Sequence, residues 1–176
     1  GILLPVTGTV TGSLQLSVGT FTIGAGGLLD LDGADLVVGA GTLAGNAAAD
    51  LTVRGTTGST VNIPANISLH NVTVGDTRTL ALNGTNNLNL SGNLSVASNA
   101  IFDNGGESQL LNNGGTVTIN GTFINRDKDN FTGLNGAIPG LSTTLMAGST
   151  VEYALAGKQL INNRDAYSNI IFSVGG

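Results

Sequence analysis

Three aspartates in one short segment are the strongest candidates for binding a metal ion. Asp30 and Asp32 alternate with Leu29 and Leu31, so both carboxylates should point outward from one strand, and Asp35 follows three residues later. Ca²⁺ prefers carboxylate and other oxygen ligands, and no cationic residue is close in the sequence. The spacing matches neither an EF-hand loop nor the glycine-rich nonapeptide calcium repeat, and the motif does not recur. A solvated acidic face is therefore the competing interpretation, and we expect no other cofactor.

The residues that common catalytic sites require are sparse. His70 is the only histidine and cysteine is absent, so catalytic triads, Cys-His pairs and zinc sites all lack parts. Ser168 occupies the position of His70 in a later repeat, which favours a structural corner over an imidazole site. Enzymes that cleave polysaccharides use carboxylates in a groove, and no groove cluster of Asp with Arg or Lys is evident. The sequence thus predicts no catalytic residues and no enzyme.

A second charged cluster occupies residues 126–130, with the sequence Arg-Asp-Lys-Asp-Asn. It follows an apolar pair at 123–124 and precedes a segment that contains Gly and Pro. Mixed charges between such segments are typical of a surface loop. We therefore predict a loop that projects from the fold and bears local ion pairs.

Composition limits the fold class. The 176 residues include 28 glycines and only 10% charged residues, with a net charge of −5. Long polar side chains that cover exposed helix faces are rare, whereas Thr, Ser and Asn suit strands and turns. The net negative charge disfavours nucleic-acid binding. No apolar run is long enough for a membrane helix, and the first residues do not resemble a signal peptide, so we expect neither.

Short alternating segments recur along the whole chain and predict strands with one buried face. Turn formers separate them, including five Asn-Gly pairs that begin at Asn83, Asn104, Asn113, Asn120 and Asn135. No helical periodicity extends beyond about one turn. The pattern is that of an all-β protein with few or no helices.

Internal repeats connect distant segments. The sequence Gly-Ser-Thr-Val at 58–61 recurs at 148–151, an offset of 148 − 58 = 90 residues, and 69–75 matches the apolar pattern of 167–173. In both copies of the second match, Asn71 or Asn169 lies where the alternation changes phase, as at a corner or bulge.

Repeats of this kind bury their apolar face by stacking on neighbouring repeats, as the coils of a solenoid do. Coils of about 20 residues would give about eight or nine coils. We expect a single solenoid segment of a longer repeat array over residues 1–176, with internal units at approximately 1–75 and 76–176.

The later repeats carry a family resemblance. Gly148 to Tyr153, then Gln159, then Tyr167 to Phe172 resemble the strand repeats of very large surface proteins that Bacteroidota secrete by the type IX system. The stretch from Gly19 to Val53 is similar to the paired Gly-Thr-Leu-Thr-Ile-Gly and Ser-Asn-Leu-Thr-Val-Gly units of that family. The resemblance implies a right-handed parallel β-helix and a surface role in adhesion, biofilm formation or gliding.

These observations predict a structural stalk or filament segment of a bacterial extracellular adhesin, located at the cell surface. Neighbouring repeats, or identical subunits placed end to end, are the expected partners, with surface glycans as a further candidate and with neither nucleic acid nor membrane insertion. The alternative is a solenoid that binds glycan, ice or mineral through one face, although outward Thr, Ser, Asn and Asp alternate irregularly along the sequence. A polysaccharide lyase is the remote alternative.

Overall fold

A computed structural model shows an all-β chain with no helix among the described residues, which are 2–4, 7–63, 66–83, 87–106, 110–112, 115–129, 131–132, 136–138, 142–161 and 166–173. Parallel strands stack as a β-solenoid, which confirms the predicted fold class. The strands are β1 Ile2–Leu4, β2 Gly8–Val10, β3 Ser13–Leu16, β4 Thr20–Ile23, β5 Leu28–Asp32, β6 Asp35–Val38, β7 Thr42–Ala44, β8 Asp50–Arg54, β9 Val61–Ile63, β10 Ile67–Leu69, β11 Val72–Val74, β12 Thr79–Leu82, β13 Leu88–Leu90, β14 Leu94–Val96, β15 Ile101–Asp103, β16 Leu110–Asn112, β17 Thr116–Ile119, β18 Thr122–Asn125, β19 Ser142–Leu145, β20 Thr150–Tyr153 and β21 Asn169–Phe172.

The strands form three faces that the chain visits in turn. Face A is one seven-stranded sheet of β2, β5, β8, β11, β14, β17 and β19. Face B consists of the pair β3 and β6 followed by the six strands β9, β12, β15, β18, β20 and β21. Face C consists of β1, β4 and β7 followed by β10, β13 and β16. All pairs between coils are parallel, so each coil rests on the preceding one.

The solenoid has fewer turns than the sequence predicted. Six turns separate the first and last strands of face A, rather than eight or nine coils. Leu29 pairs with Leu51 and Leu51 with Val72, so single coils take 22 and 21 residues instead of about 20. Longer loops use more residues near the C-terminal side, where the pair Phe123 and Val151 is 28 residues apart. The predicted coil length was therefore slightly too short.

Inward-facing apolar columns form one continuous core. On face B, Val61, Leu80, Phe102, Phe123 and Val151 lie directly above one another in five successive coils. All five are at most 1% exposed. The Phe102 and Phe123 rings stack with centroids 5.4 Å apart. Each coil thus buries its apolar side against both neighbours, because a single coil has no core of its own.

The two sequence matches fall on different parts of the solenoid. Val61 and Val151 lie in the same inward column of face B, four coils apart. Val72 begins a strand of face A, whereas Ile170 lies in a strand of face B. Asn71 and its match therefore occupy different corners. The boundaries of the predicted repeat units stay a prediction.

After β18, loops take the place of the face C strands. In the described parts of residues 126–141 and 154–168, no strand belongs to face C. Phe131 and Ile138 are fully buried there and fill the core. The Tyr167 ring lies between those of Phe131 and Tyr153, at centroid distances of 6.2 and 6.4 Å. The core thus continues through loop side chains where strands are absent.

The charged segment in this region does not project as the sequence predicted. Asp127 is only 3% exposed, and its backbone N–H donates to Asn125 Oδ1 at 2.9 Å. Gln159 Nε2 donates to the carbonyl oxygens of Asn125 and Asp127, at 3.0 and 2.8 Å. The loop is anchored at Asp127, because these hydrogen bonds satisfy its backbone there, whereas Lys128 is exposed.

Candidate functional site

The predicted acidic cluster is held by an arginine from the next coil. Arg54 Nε donates to Asp30 Oδ1 at 3.0 Å, and its Nη2 donates to Asp30 Oδ2 at 2.9 Å. The same Nη2 lies 3.0 Å from Asp32 Oδ2. The hydrogen bond and charge of Asp30 raise the pKa of Arg54 above its usual value. Two of the three candidate carboxylates therefore share one guanidinium.

The third aspartate lies elsewhere. Asp35 begins a strand of face B, and its carboxylate accepts a hydrogen bond from the backbone N–H of Ser59. No group of three or more acidic or histidine side chains placed to hold a metal ion occurs in the described part of the chain. Calcium binding stays a prediction. Arg54 lies 22 residues after Asp32, so it could have been recognised as the partner of these aspartates only from the register of the coils.

The outward side of face A carries a regular row of hydroxyl groups. Its middle position holds Thr or Ser in five successive strands, which we call the hydroxyl ladder: Thr52, Thr73, Ser95, Thr118 and Thr144. Adjacent strands bring such rungs about 4.8 Å apart. Within the described residues, none of these five side-chain hydroxyls has a hydrogen-bond partner. The ladder therefore faces outward with its hydrogen-bonding capacity free.

A second row of short polar side chains lies two residues earlier, at the corner between faces C and A. The backbone N–H of Asn71 donates to Asp50 Oδ1 at 3.0 Å, and that of Asn93 donates to Asn71 Oδ1 at 2.9 Å. Thr116 continues the row by donating its N–H to Asn93 Oδ1 at 2.9 Å. We call this row the corner ladder. It satisfies backbone groups at the bend, as Asx side chains commonly do, and explains the phase change at Asn71.

A shallow trough of about 390 Å³ runs between the two ladders. Asp50, Asn71 and Asn93 line one side, and Thr52, Thr73 and Ser95 line the other. No aromatic residue lines it. The trough thus offers hydroxyl and amide groups along the long axis of the solenoid, with one carboxylate at one end.

His70 occupies an exposed corner. Its backbone N–H donates to the carbonyl of Ala49, and its own carbonyl accepts from the N–H of Gly92. The imidazole lies over Gly92, where an added Cβ would be 2.3 Å from His70 Cδ2. His70 is therefore a corner residue, and its close approach to position 92 requires glycine there.

Arg78 is a buried residue that the sequence analysis did not single out. It is 2% exposed, yet its hydrogen bonds go to backbone carbonyls rather than to a carboxylate. Nη2 donates to Ala34 at 2.6 Å and to Ser59 at 3.0 Å, and Nη1 donates to Thr57. These acceptors precede β6 and β9, two face B strands that are not paired with each other. The guanidinium thus connects three coils where the ladder of face B is interrupted.

A second arginine–aspartate pair lies on face B. Arg126 Nε donates to Asp103 Oδ1 at 2.9 Å, and Nη2 donates to Asp103 Oδ2 at 3.0 Å. This hydrogen bonding raises the pKa of Arg126, partly offset by burial, which lowers it. The bidentate geometry fixes the start of the loop after β18.

No protein-family model, curated protein or solved structure matches the chain. In the part of the chain that the structure describes, no helix has the length and apolarity needed to cross a bilayer.

Proposed function

We propose that the chain is a structural rod, a stalk or filament segment of a bacterial extracellular adhesin. The observation that carries this proposal is the uninterrupted stacking of inward columns, such as that from Val61 to Val151 on face B. From β9 to β20, coils that share one core and a continuous set of inter-coil hydrogen bonds cannot bend or slide independently. The structure supports a rigid spacer, and the strand-repeat resemblance supports its place on a bacterial surface.

Mechanical extension of single molecules tests the rod. The chain, held by handles at its two termini, should not lengthen until discrete unfolding events occur. One coil of 22 residues releases about 75 Å of extended chain, and the 28-residue coil releases proportionally more, so each event should correspond to one or more whole coils. Smooth lengthening at low force, as in a flexible linker, would contradict a stalk function.

Adhesion assays test whether the rod itself makes the attachment. Beads coated with the chain should adhere to glycan and abiotic surfaces no better than albumin-coated beads, because a stalk holds a separate binding tip. Replacing Thr52, Thr73 and Ser95 with alanine should then change nothing. Replacing Asp30 or Asp127 would be unsuitable for this test, because Asp30 is ion-paired and Asp127 is buried.

A second candidate function is binding through face A, and the hydroxyl ladder favours it. The sequence indicated irregular outward positions, but the register places five hydroxyls in an unbroken row beside the trough. Aromatic stacking platforms for sugars are absent from the lining. Ordered water at an ice surface is therefore the ligand that this uncharged row suits best.

Inhibition of ice recrystallisation tests this candidate. A Thr73→Tyr variant places a bulky ring in the ladder and should abolish the activity, whereas Ser68→Tyr on face C should retain it. Both positions are exposed, so neither change should unfold the chain. An inactive wild type would exclude ice binding.

We further propose that the chain is not an enzyme. Purified protein should leave pectin, alginate and related polysaccharides intact, and release of oligosaccharides would overturn this view.

A further inference from the structure

One junction of the solenoid is paired on a single face. It lies between the coil of β5, β6 and β7 and the coil of β8, β9 and β10, and we call it the one-sided junction. On face A, β5 and β8 pair over five residues. On faces B and C, β6 does not pair with β9, and β7 does not pair with β10. In the junctions on either side all three faces are paired, so strand pairing joins these two coils along one line only.

A long corner accompanies the loss of pairing. Residues 55–60 separate β8 from β9, whereas two residues separate β5 from β6 and four separate β11 from β12. The six-residue corner shifts the start of β9 relative to β6, so the backbone groups of these strands do not meet. On face C the two backbones touch without pairing, and a Cβ added at Gly45 would lie 2.3 Å from the Ser68 carbonyl oxygen. The coils are thus in contact on face C but paired as strands only on face A.

A surface slot of about 370 Å³ lies on the unpaired part of face B. Leu36 and Val38 of β6 line it together with Asn62 of β9 and Asn83. Leu36 belongs to the core and Val38 packs against it, so the slot reaches core side chains. Protein interiors are normally close-packed. The slot therefore leaves room for the two coils to rotate slightly relative to each other.

Side chains bridge the two coils beside the long corner. Arg78 Nη2 donates to the carbonyl of Ala34, which directly precedes β6, at 2.6 Å, and to that of Ser59, which precedes β9, at 3.0 Å. The backbone N–H of Ser59 also donates to Asp35 Oδ1. Opening the slot breaks these few bonds and leaves the pairing of β5 with β8 intact. It therefore requires less free energy than the separation of coils that are paired on three faces.

We propose that the one-sided junction is a hinge. The coils ahead of β8 rotate about the paired strands of face A, the face B side opens at the slot, and Arg78 holds it closed. Such a hinge needs one connection that persists and a few contacts that change between its two positions. This inference rests on the proposed rod function and specifies where the rod bends, since the coils from β9 onward move as one unit.

Distances between pairs of spin labels test the hinge, and the cysteine-free chain allows labels at chosen positions. Asn62 and Ile171 are exposed and occupy the same outward column of face B, five strand pairings apart. Labels at Asn62→Cys and Ile171→Cys are the matched control and should give a narrow distribution. Labels at Val37→Cys, in β6, and Ile171→Cys span the hinge. In an Arg78→Lys background this second distance should lengthen by about 3 Å, the displacement that a rotation of about 20° produces about 10 Å from face A.

Wild-type protein in urea below the unfolding transition gives a second test that needs no substitution at Arg78. The distance from Val37 should lengthen before the distance from Asn62 changes, because the hinge requires the least free energy to open. A Val37 distance that stays the same in either experiment, or two distances that lengthen together, would overturn the hinge. A narrow Asn62 distribution would then still leave the rod function intact, whereas a broad one in the wild type would contradict the rod. Circular dichroism confirms that the labelled variants fold.

Discussion

Replacing Arg78 with methionine should destabilise the chain strongly, although no acidic partner is lost. The side chain donates to three carbonyls, those of Ala34, Thr57 and Ser59, at a site that is 2% exposed. Methionine retains most of the apolar stem and leaves these acceptors without their donor. Hydrogen bonds to a charged group contribute about 1.5 to 3 kcal/mol each, and removing a buried cation relieves part of the loss. We expect the free energy of unfolding to fall by about 3 to 5 kcal/mol.

Urea unfolding followed by circular dichroism measures this change. Arg78→Lys is the matched control, because it keeps the charge but cannot reach three acceptors, and it should lie between the variant and the wild type. Gly58→Ala adds a coupling test, since its Cβ would be 2.1 Å from Arg78 Nη1. In the methionine background that clash is reduced, so the two effects should be less than additive. A loss below about 1 kcal/mol for methionine would refute the view that Arg78 holds the three coils together.

Three further changes test other parts of the fold. Gly121→Ala should cost about 1 to 3 kcal/mol, because its Cβ would be 2.3 Å from two backbone carbonyls of the previous coil, whereas Gly12→Ala has open space and should be neutral in the same thermal melt. Asn71→Ala removes a link of the corner ladder and should lower the urea midpoint by the equivalent of about 1 kcal/mol, and an unchanged midpoint would refute that role. Because the pKa of Arg126 is raised in the folded state, its pair with Asp103 stabilises the fold below the unfolded pKa of arginine, and this contribution is lost only as the pH rises through the folded pKa. The contribution of the pair should therefore be constant from about pH 7 to pH 10. A double-mutant cycle at both pH values would detect a change.

The sequence predicted the fold class because it depends on local pattern. Alternation such as Leu88-Asn89-Leu90 gives the strand and its buried face directly, and the intervening turn residues give the corners. The predicted number of coils was less accurate, because an error of about two residues in the length of each coil accumulates along the chain. The loops after β18 also carry no periodic signal. Local pattern therefore determines the architecture better than it determines the length of the repeat.

The hydroxyl ladder and the contacts of Arg78 depend on the register between coils, and the sequence alone did not give that register. Thr52, Thr73 and Ser95 look irregular when the chain is read linearly, but coils of 21 or 22 residues align them. Arg78 has no sequence signal, because its acceptors are backbone carbonyls up to 44 residues away. Side chains that act across coils become visible only when the coils are aligned.

The interruption between β6 and β9 has a mechanical consequence. Hydrogen bonds between coils run parallel to the long axis, so tension loads every junction equally, and the junction with the fewest bonds is the weakest link. Face B contributes no strand pairing there, while face A continues through β5 and β8. Arg78 adds its bonds across this junction. Fracture under load should begin between these coils, and the residue at position 78 then contributes to the force at which the rod breaks.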